Sequence, residues 1–256
     1  MKVSRYLSIA SLVGLAACGQ AAGSQIPEVV RVLPHDFGAS TQGLLLHDGT
    51  FYESTGQYGE STLRAVDVET GEVLRILEIS QEYFGEGLAL VGNELIQLTW
   101  QENVAFAYDL ESFDLVREIE YEGEGWGLCY DGESLFMSNG SAILHRRDPN
   151  SFEILESLEV TLNGSPVRNL NELECVGSTV WANIWLTGRI VAVNAIDGRV
   201  TAVVDASDLP VDRSSLGPDD VLNGIAHDPD TDHFLLTGKR WPSLFEVELV
   251  EAAGDG

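Results

Sequence analysis

Basic residues are scarce in this 256-residue chain: Lys and Arg total 14 against 41 Asp and Glu, a formal net charge of −27. So acidic a surface excludes nucleic-acid binding and electrostatic docking on anionic lipid, both of which need positive charge. It favours cationic partners, such as a peptide's free amino terminus, and most of it serves solubility. Cysteine is scarce too, with three residues, too few for a disulfide-built scaffold. The five histidines, His35, His47, His145, His227 and His233, are scattered, with no HExxH and no clustered ligand spacing. The acidic run Asp228–Asp232 begins like a calcium loop. It lacks the glycine at the sixth place and has Lys239 where the bidentate acid belongs, so it reads as a hairpin turn. There is no GxSxG element, no phosphate-cradling glycine loop, and no second apolar run long enough to span a bilayer. Nothing in the pattern calls for a metal or a cofactor, although an axial ion in a ring-shaped fold is left open.

The first segment is an address rather than a fold. Lys2 and Arg5 form a positive region, and Tyr6 to Ala17 is an apolar run of about a dozen residues. Leu15-Ala16-Ala17-Cys18 then resembles a bacterial lipobox, in which Cys18 becomes the lipidated first residue after cleavage; a plain secretory signal is the alternative. The expected organisation is a signal peptide over 1–18, a tether over 19–27, one domain over 28–250 and a tail over 251–256. It places the protein in the cell envelope, touching a membrane only through its lipid. Cys129 and Cys175 lie near strand starts in neighbouring repeats, offset by one residue in register. Such residues point to opposite faces of a pleated strand, so buried thiols are expected.

The chain is rich in a repeated string. Thr41-Gln42-Gly43-Leu44, Gly85-Glu86-Gly87-Leu88, Gly125-Trp126-Gly127-Leu128, Leu170-Asn171-Glu172-Leu173 and Leu222-Asn223-Gly224-Ile225 each precede a strand, at intervals of 44, 40, 45 and 52. Short strands at this period, with turn pairs such as Asp48-Gly49 and Asp197-Gly198 between them, predict a radial all-β architecture. The last repeat supplies only three strands. The early strand Glu28–Leu33 is the natural fourth, giving a five-bladed β-propeller closed by its N-terminal strand. The stretch 205–220, with Pro210 and Pro218, lacks periodicity and reads as an excursion near the site's mouth, with room for a short helix.

Stacking the repeats yields two rings of equivalent positions. One holds Gln42, Glu86, Trp126, Asn171 and Asn223; the other holds Tyr58, Trp100, Asn139, Trp185 and Lys239, at offsets of 16, 14, 13, 14 and 16. Packing would ask for Val, Ile and Leu at such positions. A single Trp at a strand end is ordinarily packing, but three in register with one acid, one Lys and several amides read as a site.

The strings TQGLL (41–45), ESTGQYG (53–59), YFGEGLAL (83–90), GWGL (125–128), LNELE (170–174), WANIW (181–185), DVLNGIA (220–226) and TGKRWPSLFEV (237–247) resemble the plant-type glutaminyl-peptide cyclotransferases and their bacterial relatives. The resemblance runs from about Val29 to Leu249. It implies a five-bladed propeller that converts N-terminal glutamine of peptides and proteins to pyroglutamate with loss of ammonia; the expectation for this chain is a monomer without a cofactor. By motif it implies an acid/base carboxylate at Glu86, a substrate-contacting Gln42, pocket tryptophans Trp100, Trp126 and Trp185, and catalytic Asn171 and Lys239. Ser40 departs from a frequent Phe, and Cys175 from a common aromatic. Two rivals stay open at this level: a non-catalytic periplasmic propeller that binds peptides or sugars, and a metal-dependent lactonase-like hydrolase.

Overall fold

The computed structural model describes residues 21–253; Cys18, the signal segment and the start of the tether lie outside the described residues. Among the described residues there are strands and turns and no helix. Blade 1 is built from Thr41–His47, Thr50–Thr55, Thr62–Asp67 and Val73–Glu78, and blade 2 from Gly85–Val91, Glu94–Thr99, Val104–Asp109 and Leu115–Glu120. Blade 3 comprises Leu128–Tyr130, Leu135–Met137, Ile143–Arg147 and Ile154–Glu159. Blade 4 comprises Leu170–Val176, Thr179–Ile184, Arg189–Asn194 and Val200–Asp205. Leu222–Asp228, His233–Gly238 and Ser243–Glu251 form blade 5, whose fourth strand is the N-terminal Gly23–Pro34. A two-stranded hairpin, Thr161–Leu162 with Ser165–Pro166, sits between blades 3 and 4.

The strand sequences follow their place in the ring. Inner strands such as TQGLLLH and GEGLALV are buried at five successive residues, because neighbouring blades cover both faces. Outer strands such as VLRILE are mostly exposed. Turns between third and fourth strands use one device: the side-chain oxygens of Asp67, Asp109, Asp148 and Asn194 each accept backbone N–H groups two and three residues on.

Two expectations, one at the N-terminal strand and one between blades 4 and 5, need correction. The N-terminal strand closes blade 5 as read, antiparallel from Gln25↔Glu251 to Pro34↔Ser243. It begins at Gly23, however, inside the expected tether, because Gly23–Gln25 also pair in parallel with Ala202–Val204 of blade 4. One strand therefore joins blades 4 and 5 into a single eight-stranded sheet. The excursion after Asp205 carries turns rather than a helix; Pro210 and Pro218 interrupt it.

Cys129 and Cys175 are a disulfide, not two buried thiols, with Cα atoms 5.4 Å apart. A one-residue register offset separates two side chains only within one sheet. In a propeller, blades stack face to face, so the forward face of blade 3 meets the backward face of blade 4. Residues that point to opposite faces of their own strands are then the ones that touch.

Candidate active site

All seven residues expected in the site, Gln42, Glu86, Trp100, Trp126, Asn171, Trp185 and Lys239, line one cavity of about 500 Å³ at one end of the ring. Local backbone irregularity aims them there. In the inner strands of blades 1, 2, 4 and 5 the ladder slips, between Thr41 and Gly43, Gly85 and Leu88, Leu170 and Leu173, and Leu222 and Ile225. The first residue left out of pairing at each slip is Gln42, Glu86, Asn171 or Asn223. A bulge bends the strand and redirects the side chain, here toward the cavity end of the axis.

Glycine then lets the blades close behind these residues. A Cβ on Gly87 would stand 2.5 Å from Leu128 N, and one on Gly127 would stand 2.0 Å from Asn171 O. Hydroxyls lock the same level: Ser54 Oγ donates to Glu86 O, and Ser138 Oγ to Asn171 O at 2.6 Å. Blade 4 has Glu172 where the others have glycine. Its carboxyl group accepts Ile225 N–H of blade 5 at 2.8 Å and, across the axis, Leu44 N–H of blade 1 at 3.4 Å.

The aromatic wall is organised as pairs. Trp126 meets Trp185 edge to face, centroids 5.4 Å apart at 82°, and Phe84 meets Trp100 at 5.7 Å and 62°. Lys239 is presented on a turn whose next residue, Arg240, has a positive φ of 56° and donates its backbone N–H to Ala39 O. Lys239 N–H itself donates to Val221 O, which brings Asp219 and Asp220 to the mouth beside it.

The other three ring positions serve differently. Asn223 is fully buried and donates to Thr41 O at 3.0 Å and Gln42 Oε1 at 3.4 Å, which fixes Gln42. Asn139 accepts from the Ser141 hydroxyl at 2.6 Å within its own turn. Tyr58 is half exposed and donates to Glu102 at 2.7 Å; that bond, burial and the charge of Glu102 push its phenol up to about 12.

Residues missed from sequence sit two positions before the inner ring. Ser40 and Phe84 line the cavity, and Glu124 holds its wall: Oε2 accepts Trp100 Nε1–H and Trp126 Nε1–H, each at 3.0 Å. Reading the repeat two places further back gives Ser40, Phe84, Glu124, Asn169 and Val221, positions that share a place but no chemistry.

Electrostatics single out Glu86 and Lys239. Burial pushes the Glu86 carboxyl well above the ordinary range; Lys239 opposes this, and the charges of Glu102 and Glu124 add to it. Burial likewise pushes Lys239 down, against the pull of Glu86, Asp219 and Asp220. Among the described residues neither side chain has a hydrogen-bond or ion-pair partner. The Asn171 side-chain amide has none either, and its Oδ1 is buried. Unsatisfied acid, base and amide in one aromatic cavity are groups that a ligand completes.

The whole chain carries the same signature. Residues 6–249 match the family model described as glutamine cyclotransferase. A glutaminyl-peptide cyclotransferase of Arabidopsis thaliana is 40% identical over 247 residues, covering 92% of this chain and 77% of the plant protein. The crystal structure of Myxococcus xanthus glutaminyl cyclase superposes with a TM-score of 0.86 at 37% identity, covering 91% of this chain and all of the other. On cavity, fold and sequence together, this chain belongs to the glutamine cyclotransferase family.

Proposed function

We propose that this chain is a glutaminyl-peptide cyclotransferase that closes N-terminal glutamine to pyroglutamate by acid/base chemistry, without a metal. The observation that carries the reading is the single cavity that gathers Glu86, Lys239, Asn171, Gln42 and three tryptophans.

The reaction forms a bond between the α-nitrogen and the side-chain amide carbon and breaks that carbon's bond to nitrogen. The attacking amine loses one proton and the departing ammonia gains one, so a single carboxyl group that gives and takes a proton balances the step. Glu86, its pKa raised by burial, delivers a proton to the leaving nitrogen and recovers one from the amine. Lys239 and Asn171 donate toward the oxygen that becomes negative in the tetrahedral intermediate. Gln42 offers donor and acceptor to the substrate amide. The tryptophans exclude water and hold the folded conformer, with cation–π attraction for the amine while it is charged. Every residue in this scheme comes from one chain, so a monomer suffices for it.

The reading extends to the envelope. Lys2, Arg5, the apolar run to Ala17 and the lipobox at Cys18 support export and a lipid anchor. The Cys129–Cys175 disulfide supports an oxidising compartment. Replacing Cys18 with Ala should then move the protein from the membrane fraction to the soluble fraction.

The activity test is ammonia release from a Gln-initiated peptide, with pyroglutamyl product identified by mass, with and without a chelator. Chelator-resistant release is expected. No release would overturn the cyclase reading, and chelator-sensitive release would overturn its metal-free form.

A further inference from the structure

We propose that Glu124 is a positioning residue for this reaction: one carboxylate that holds two cavity tryptophans, Trp100 and Trp126, in fixed relation. The proposal rests on the cyclase reading above. Trp100 comes from blade 2 and Trp126 from the entry to blade 3, and nothing in either strand ladder sets the angle between their rings. Glu124 does so. Both indole N–H groups donate to the same oxygen, Oε2, at 3.0 Å, and Gln101 Nε2 donates to Oε1 at 3.0 Å. Burial pushes the carboxyl up, but the bonds from Trp126, Gln101 and Trp100 outweigh it and hold the group below the ordinary range, ionised.

Three consequences follow from this geometry. An indole N–H bonded to an anion is a charge-assisted contact, stronger than a neutral one, so the rings lose the freedom to rotate. Trp126 in turn meets Trp185 edge to face, and Trp100 meets Phe84, so the clamp fixes both aromatic pairs. The charge on Glu124 also adds to the upward push on Glu86. Glu124 itself does not line the cavity, so it acts through the tryptophans rather than on the substrate.

The test compares Glu124→Ala, Glu124→Gln and Trp100→Phe with the wild type, using a Gln-initiated peptide and ammonia release. Glu124→Ala should raise KM and lower kcat/KM by about 10- to 100-fold through misplaced walls, with thermal stability little changed. Glu124→Gln, whose amide oxygen still accepts an indole N–H, should recover most of that loss. Trp100→Phe combined with Glu124→Ala should cost less than the product of the two single effects. Independently of turnover, the indole Nε1–H proton resonances of Trp100 and Trp126 should move upfield in Glu124→Ala. The proposal is overturned by unchanged indole resonances, by wild-type kcat/KM in Glu124→Ala, or by equal loss in the Ala and Gln variants. An inactive wild type with shifted resonances would instead overturn the cyclase reading and leave the clamp standing.

Discussion

Two buried acid–base pairs in this molecule behave in opposite ways. At the seam between blades 5 and 1, His35 Nε2 lies 2.9 Å from Glu53 Oε1, Thr41 Oγ1 donates to that oxygen at 2.6 Å, and His35 Nδ1 donates to Trp241 O at 2.7 Å. Burial disfavours charge on both, but contact outweighs it, raising His35 and lowering Glu53. Both imidazole nitrogens face acceptors, which the charged ring satisfies. In the cavity, Glu86 and Lys239 are held apart, and burial wins: Glu86 rises and Lys239 falls. Distance separates the cases. A pair in contact keeps its charges and fastens the fold; a pair left open keeps proton transfer available to a substrate.

The largest effect should come from breaking the open pair. Glu86→Gln should lower kcat by about 10²–10⁴-fold while leaving the melting temperature equal or higher, since a strained buried acid is removed. Breaking the closed pair should do the reverse. Glu53→Gln leaves the His35 charge buried without its anion and should cost about 3–5 kcal/mol in denaturant unfolding, with kcat retained wherever the protein is folded.

A smaller structural effect belongs to Cys129–Cys175, whose loop spans 46 residues. Replacing both by Ala should cost at most about 4 kcal/mol from unfolded-chain entropy, read as a lower denaturant midpoint without loss of the folded-state circular dichroism.

The effect spread over the most groups is the pH dependence of stability. Glu174 accepts His227 N–H at 3.0 Å, yet burial pushes its carboxyl up to about 8. A carboxyl raised on folding favours the fold when protonated, so its contribution is complete below the unfolded value and is lost as pH rises toward 8. His35, also raised, loses its contribution in the same direction. Glu53, lowered, loses its own only as pH falls through its folded value. Glu86 and Glu172, also raised by burial, act in the same direction, so melting temperature should decline between about pH 5 and 8, and Glu174→Gln should flatten part of that decline.

Much of this was legible because a ring fold turns sequence period into spatial position. Stacking five strings placed Gln42, Glu86 and Asn171 at one end before any bulge was visible, and Lys239 emerged from the second ring by offset alone. What escaped depended on contacts between blades. The disulfide needed the rule that opposite faces of adjacent blades meet. Glu124 was hidden because its partners, Trp100 and Trp126, belong to different repeats and its own position has no counterpart acid elsewhere. Glu172 stood inside a quoted motif, but its bonds reach Ile225 in the next blade and Leu44 across the axis, where no local pattern reaches. The early start of the N-terminal strand depended likewise on an edge offered by blade 4.

The most direct test of the contrast between the two pairs is a carboxyl-carbon NMR titration of glutamate-labelled protein, with the Glu86 resonance assigned by its loss in Glu86→Gln. An open buried pair predicts that this carboxyl titrates well above the ordinary value of about 4.3, and that Glu53 titrates below it. Titration of Glu86 at or under the ordinary value would show a paired, charge-stabilised carboxylate and contradict the account.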